Sequence, residues 1–243
     1  MGFAIVAGGN PNMAAPVTGI AAGTLAVGSA VKLMESGTAV EYLVVNQGKP
    51  SNSNLYDSSC DGTWLLRKNI HSQRPWNSSN SNVYANSAIN TWLNGDFFNT
   101  LGSVEQAAVK QIKIPYCVGG GNSTVNSGAN GLSVKAFLLG GYELGWTSSN
   151  LDNFHHDGDK LEYFISGTGA EANRKRIATL NNSPAQWTLR TPYGEGSGAV
   201  FACDNTGGYG YDLASTSDGI RPALILPKTA LFDEDTMILK GVA

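Results

Sequence analysis

From Ala30 the hydrophobic pattern becomes strand-like. Ala39-Val40-Glu41-Tyr42-Leu43-Val44-Val45 is rich in β-branched residues and ends at the turn signal Asn46-Gln47-Gly48-Lys49-Pro50. A second strand is expected over Gly62-Thr63-Trp64-Leu65-Leu66-Arg67. The Asn/Ser stretch from Asn77 to Asn82 then gives way to helical spacing, with Ser87, Ile89, Trp92 and Leu93 opening an amphipathic segment that Asn94-Gly95 should stop. Ser103 is placed to cap a second helix, Val104 to Ile112, with Val104, Ala107, Ala108 and Ile112 along one side. Helices this short need a sheet to pack on. Gly119 to Gly131 reads as a long Gly/Asn/Ser loop, and Ser133 to Leu139 as a buried strand ending near Gly140-Gly141.

The segment before these elements differs from them. Met1 to Val31 is rich in Ala, Gly and Val, and the first charged side chain is Lys32. It lacks the positive start of a signal peptide. Pro11, Pro16, Asn10, Asn12 and repeated glycines interrupt its apolar run, so membrane insertion is not expected. Too apolar for a free tail, it reads as an assembly arm that packs against another subunit or protein. The division drawn is therefore an arm over 1–31 and a ligand-binding domain over 32–243.

Composition narrows the picture. Charged residues are 14% of the chain and there are 30 glycines, which suits a turn-rich structure with long packed loops. A net charge of −3 leaves no footprint for nucleic acid, and the one basic knot, Arg174-Lys175-Arg176, reads as a solvated loop. Cys60, Cys117 and Cys203 are widely spaced with no CxxC pair, the pattern of three isolated thiols.

Candidate chemistry is sparse. His155-His156-Asp157-Gly158-Asp159 has metal-ligand residue types, and calcium on Asp157, Asp159 and backbone carbonyls is chemically feasible. Adjacent loop histidines point apart, however, and the segment reads as a structural or solvated loop, so no metal and no cofactor are expected. Gly119 to Gly121 are not followed by a phosphate-loop lysine. No G-x-S-x-G elbow exists, and three histidines, two of them adjacent, offer little for acid–base work. Glu143 reads as a structural hydrogen-bond acceptor. The chain is not expected to be an enzyme.

The C-terminal third is more specific. Trp187-Thr188-Leu189-Arg190-Thr191-Pro192-Tyr193 and Gly219-Ile220-Arg221-Pro222-Ala223-Leu224 bracket a stretch rich in Gly, Tyr, Asp, Asn and Ser. This framework resembles the "WWLRSP … GVRPAL" pattern of a C-type-lectin-like family of phage and bacterial surface proteins. Gly62-Thr63-Trp64-Leu65-Leu66, Tyr84-Ala85-Asn86-Ser87, Trp92-Leu93-Asn94, Phe97, Phe137-Leu138-Leu139 and Glu143 follow the same order, so the resemblance spans about Val31 to Leu226. Thr188 stands where the family commonly has a second Trp, and Thr191 where it has Ser.

The resemblance implies an α+β C-type-lectin-like fold, two short helices on small antiparallel sheets, preceded by the assembly arm. It is also similar to the variable proteins of diversity-generating retroelements, which diversify the last part of this domain. Glu, Lys, Gln, Met and Trp are absent from Ala199 to Asp218, as randomised adenines in AAT or AAC codons would leave it. The expected ligand-binding residues are Tyr193, Glu195, Phe201, Cys203, Asp204, Asn205, Tyr209, Tyr211, Asp212 and Ser215. Aromatic rings there supply stiff contact area, while Ser, Asn, Asp and Gly supply adaptable hydrogen bonds. The implied function is adhesion or receptor binding by a tail-associated phage virion protein, made in the host cytoplasm and displayed on the particle. Its partners would be a host cell-surface protein or glycan and, through the arm, other virion proteins; a homo-oligomer, by analogy a trimer, fits a tail appendage. A structural or decoration protein is the alternative. A formylglycine-generating enzyme is a weaker one, because Cys203 has no nearby cysteine in sequence. The EPN, QPD and WND signatures of calcium-dependent sugar lectins do not occur.

Overall fold

The computed structural model describes residues 18–50, 54–147, 154–194, 196 and 198–243. Two five-stranded sheets carry the molecule. The first begins with a hairpin of Ala30–Glu35 and Thr38–Gln47, whose turn residues Ser36 and Gly37 both have positive φ, the geometry that matches strand twist. Thr63–Arg67 pairs with the second hairpin strand, Ala223–Leu226 pairs with Thr63–Arg67, and Ala136–Phe137 closes the far edge, all antiparallel. Val31, Leu33, Tyr42, Val44, Trp64, Leu65 and Leu66 are fully buried, so the apolar run that marks these strands in the sequence is also the core they build.

The second sheet positions the candidate site. Its order is Tyr209–Leu213, Ala199–Cys203, Trp187–Pro192, Ser217–Ile220 and Ser72–Pro75. All six residues of the central Trp187–Pro192 strand are buried. The two sequence brackets meet here: Trp187 pairs with Gly219 in parallel, and the Arg221 guanidinium lies 5.0 Å from the Trp187 ring centroid. A side chain at Gly219 would run into the Gln186 carbonyl and Ile70, so this close pairing requires glycine. One apolar core joins both sheets, with Trp64, Trp76 and Trp187 among its members.

Several expectations are corrected. Strand accounts for 38% of the protein and helix for 19%, so the fold is β-rich and not the α+β C-type-lectin-like arrangement. The longest described α-helix, Ala170–Arg176, has 7 residues. The first expected helix, Ala88–Trp92, is capped by Ser87 but does not stop at Asn94-Gly95. It runs through a π turn, Leu93–Phe97, into Phe98–Thr100. The Asn94 side chain explains this: its amide donates to the Asn90 and Ala136 carbonyls and its oxygen accepts from the Lys135 and Ala136 amides. Those bonds tie the helix to the strand beside it rather than ending it.

The second expected helix is shorter, Ser103–Ala108, and turned differently. Val104 and Ala107 face out, while Glu105 and Ala108 face in. Glu105 is buried because its carboxylate accepts the Met34 amide at 2.9 Å. Ile112 belongs to a separate strand, Ile112–Ile114, paired with Leu132–Val134. The expected 119–131 loop is largely a hairpin of Tyr116–Gly119 with Asn122–Asn126, turned by Gly120 and Gly121 at positive φ. The expected strand over 133–139 is split, because Leu132–Val134 and Ala136–Phe137 pair with different partners.

Most of the arm lies outside the described residues. Its last part does not stand apart from the domain: Ile20–Ala21 pairs with Ala230–Phe232, and Ala22 and Val31 are fully buried. Arg176, expected in a solvated loop, is buried at a helix end, where its guanidinium donates to the carbonyls of Leu144, Ile165 and Gly167.

Candidate functional site

The site is an edge strand held by a buried polar frame. Arg190, on the central strand, forms a two-pronged bond with Glu143, Nη1 to Oε2 at 2.6 Å and Nη2 to Oε1 at 2.8 Å, with both side chains fully buried. Its remaining donors reach the carbonyls of Pro115, Leu138 and Asp157. Burial works against the Arg190 charge, but the Glu143 carboxylate outweighs it and holds the guanidinium above its ordinary pKa. Glu143 also accepts from the Tyr56 hydroxyl and the Gly140 amide, as a structural acceptor should. Thr191 donates to the Asp157 carboxylate, which burial pushes up to about 6.

Outside it, Tyr209–Leu213 alternates with the two-residue period of a strand. Tyr209, Tyr211 and Leu213 are 46%, 60% and 49% exposed, on one face. The inner neighbour sets what lies behind them. Cys203 is paired with Tyr209, Phe201 with Tyr211 and Ala199 with Leu213, so those side chains share the face but sit one strand deeper. Tyr193 stacks on Tyr211 with centroids 4.6 Å apart and also touches Phe201. Tyr209 meets the buried Trp146 edge-on.

The expected ligand-binding residues therefore separate. Tyr193, Tyr209 and Tyr211 come together at the surface. Phe201 and Cys203 are buried, Phe201 beneath Phe154, and burial pushes the Cys203 thiol up to about 12. Asp204 is engaged in its own turn, accepting from the Thr206 and Gly208 amides, with Asn205 exposed beside it. Asp212 points to the opposite face, where Gln186 and Thr216 donate to it. The Ser215 hydroxyl donates to the Asn80 side-chain oxygen, from a distant part of the sequence. Glu195 lies outside the described residues. Leu213 was missed, although Tyr209, Tyr211 and Leu213 at i, i+2 and i+4 are a period-2 signal readable in the sequence. Trp146 carried no such signal.

The histidine segment does not assemble into a cation cage. His156 bonds to Asp159 at 2.9 Å, whereas Asp157 is turned inward to Thr191. Among the described residues no group of three His, Cys, Asp or Glu side chains is placed to hold a metal ion. The three cysteines are free and buried, and burial raises all three thiols, which leaves them poor nucleophiles. No described helix is long and apolar enough to cross a membrane.

One family model matches the chain, that of the domain of unknown function DUF6273, over residues 61–228. The match takes in the central strand, the Tyr209–Leu213 edge and Arg221. No curated protein and no solved structure matches the chain.

Proposed function

The chain belongs to the DUF6273 family, and on that footing we propose that it is a binding protein without catalytic activity, displaying the Tyr193, Tyr209, Tyr211 and Leu213 face to a host cell-surface protein or glycan. The observation that carries this reading is the concentration of exposed apolar area. Val104, Tyr209, Tyr211, Leu213 and Val242 are the large hydrophobic side chains left exposed among the described residues, and three of the five stand in this one strand. An exposed aromatic row on a supported edge is what a binding face needs, because the rings lose little entropy on contact. Among the described residues no further strand pairs with its outer edge, so an extended partner segment can also pair there.

The resemblance of the two brackets to variable phage surface proteins supports a place on a phage particle, as a tail-associated adhesion protein. Asn205, Thr206, Ser215 and Ser217 are exposed around the rings and offer adaptable polar contacts. The test is binding of fluorescently labelled protein to host cells. Tyr209→Ala/Tyr211→Ala should lose binding by about a hundredfold, as removal of two aromatic anchors does, while far-UV circular dichroism stays unchanged. Full binding by a folded double variant would overturn the reading. Finding this face covered in the assembled particle would favour the decoration alternative.

A further inference from the structure

Val104 and Val242, the two exposed large hydrophobic side chains outside the tyrosine strand, line one groove of about 430 Å³. Its walls are the helix Ser103–Ala108, through Val104, Ala107 and Ala108, and the strand Leu239–Val242, through Gly241 and Val242. The valines are 39% and 43% exposed, so an occupant can reach both. The helix cannot turn Val104 inward, because its inward position is held by Glu105, whose carboxylate accepts the Met34 amide. Apolar walls left open to water favour an apolar occupant.

Charge narrows the choice. The one charged lining residue is Lys240, whose ammonium lies 3.7 Å from the Asp233 carboxylate. An uncharged segment enters this groove without breaking that pair or burying a second charge. Met1 to Val31 has no charged side chain, and Phe3-Ala4-Ile5-Val6-Ala7 is apolar throughout. The residues that follow, 8–17, include Gly8, Gly9, Asn10, Pro11, Asn12 and Pro16, the composition of a connector rather than a core element.

Position points to the arm of the same chain. The described residues start at Thr18, and Ile20–Ala21 pairs with Ala230–Phe232, whose other side pairs with Leu239–Val242. The arm therefore leaves the domain two strand spacings, about 10 Å, from the strand that walls the groove. Residues 8–17 can span up to about 33 Å. So short a tether holds residues 3–7 at an effective concentration on the order of millimolar, which a second copy in dilute solution does not match.

We propose that residues 3–7 fold back into this groove of their own chain, seating Ile5 against Val104 and Val242. The arm is then an internal latch on the last strand instead of a link to another subunit. The proposal is independent of the tyrosine face and stands or falls without it.

Disulfide trapping in the full chain tests it. Val104 is exposed, so Ile5→Cys/Val104→Cys leaves the core intact, and the three native thiols are buried. Under mild oxidation a same-chain bond between positions 5 and 104 should form at least about tenfold faster than in Ile5→Cys/Asn205→Cys. That control carries its second cysteine on the exposed turn before Tyr209–Leu213. Peptide mass spectrometry and a non-reducing gel read the products. Equal rates, or a covalent dimer in place of the same-chain bond, overturn the proposal. Amide hydrogen exchange gives a readout without added cysteines. Ile5→Asp should speed exchange across Ser103–Ala108 and Leu239–Val242 by about tenfold or more. Exchange identical to wild type would leave the groove without its latch.

Discussion

The Trp187–Pro192 strand and the Tyr209–Leu213 strand lie in one sheet, separated by a single strand, yet they are built for opposite tasks. In the first, every residue is buried and its one charged group, the Arg190 guanidinium, is fixed by several bonds. In the second, alternate side chains project into solvent. The difference comes from depth in the sheet rather than from composition, since Phe201 and Tyr211 are both aromatic, directly paired and on the same face. Phe201 is covered by Phe154, a residue far away in sequence, whereas Tyr211 stacks on Tyr193 and stays 60% exposed.

The largest effects should come from the frame. Glu143→Ala strands the buried Arg190 charge and should destabilise the protein by about 3–5 kcal/mol, measured by chemical denaturation. Tyr211→Ala, by contrast, should cost under about 1 kcal/mol in the same assay. Similar losses for the two would erase the distinction between the strands.

A turn variant should fall between them. Gly207 has φ +82, and a side chain there would collide with the Asn173 backbone. Gly207→Ala should therefore cost about 2 kcal/mol. A change of less than a few tenths would show that the turn before the edge strand is not held by this packing.

The frame also has a pH signature. Burial raises the Asp157 carboxyl from 3.8 to about 6, so its contribution is fully present below 3.8 and is lost as pH rises through about 6. Asp157→Asn should flatten the stability profile between those values and be neutral or stabilising at pH 7. An unchanged slope in thermal melts across that range would contradict this. One effect is a gain: Thr188, where the resembled family commonly has Trp, is buried with an unpartnered hydroxyl. Thr188→Val keeps the shape and should stabilise by about 1 kcal/mol.

Much of the first sheet was readable in advance, because Ala39 to Val45 is a largely apolar run ended by a turn signal and Thr63 to Leu66 is a second apolar run. The orientation of Ser103–Ala108 was not. Apolar spacing put Val104 inside, but the buried position went to Glu105, whose carboxylate the Met34 amide needs, and periodicity counts such a residue as polar. Arg176 was hidden for the same reason, since a charge that is buried by its partners looks like a surface charge until the partners are located. At the site, the aromatic residues of 193–213 were readable as a set. Their sorting into exposed Tyr209 and Tyr211 and buried Phe201 depends on strand order, which no local pattern contains.

Amide hydrogen exchange, with and without the isolated envelope fraction of the host, would show directly which surface meets a partner. Slowed exchange across Tyr209–Leu213 and at Tyr193, with none added around Val104 and Val242, is the expected footprint. Protection around Val104 and Val242 alone, with the tyrosine strand exchanging as before, would place binding elsewhere and contradict the assignment.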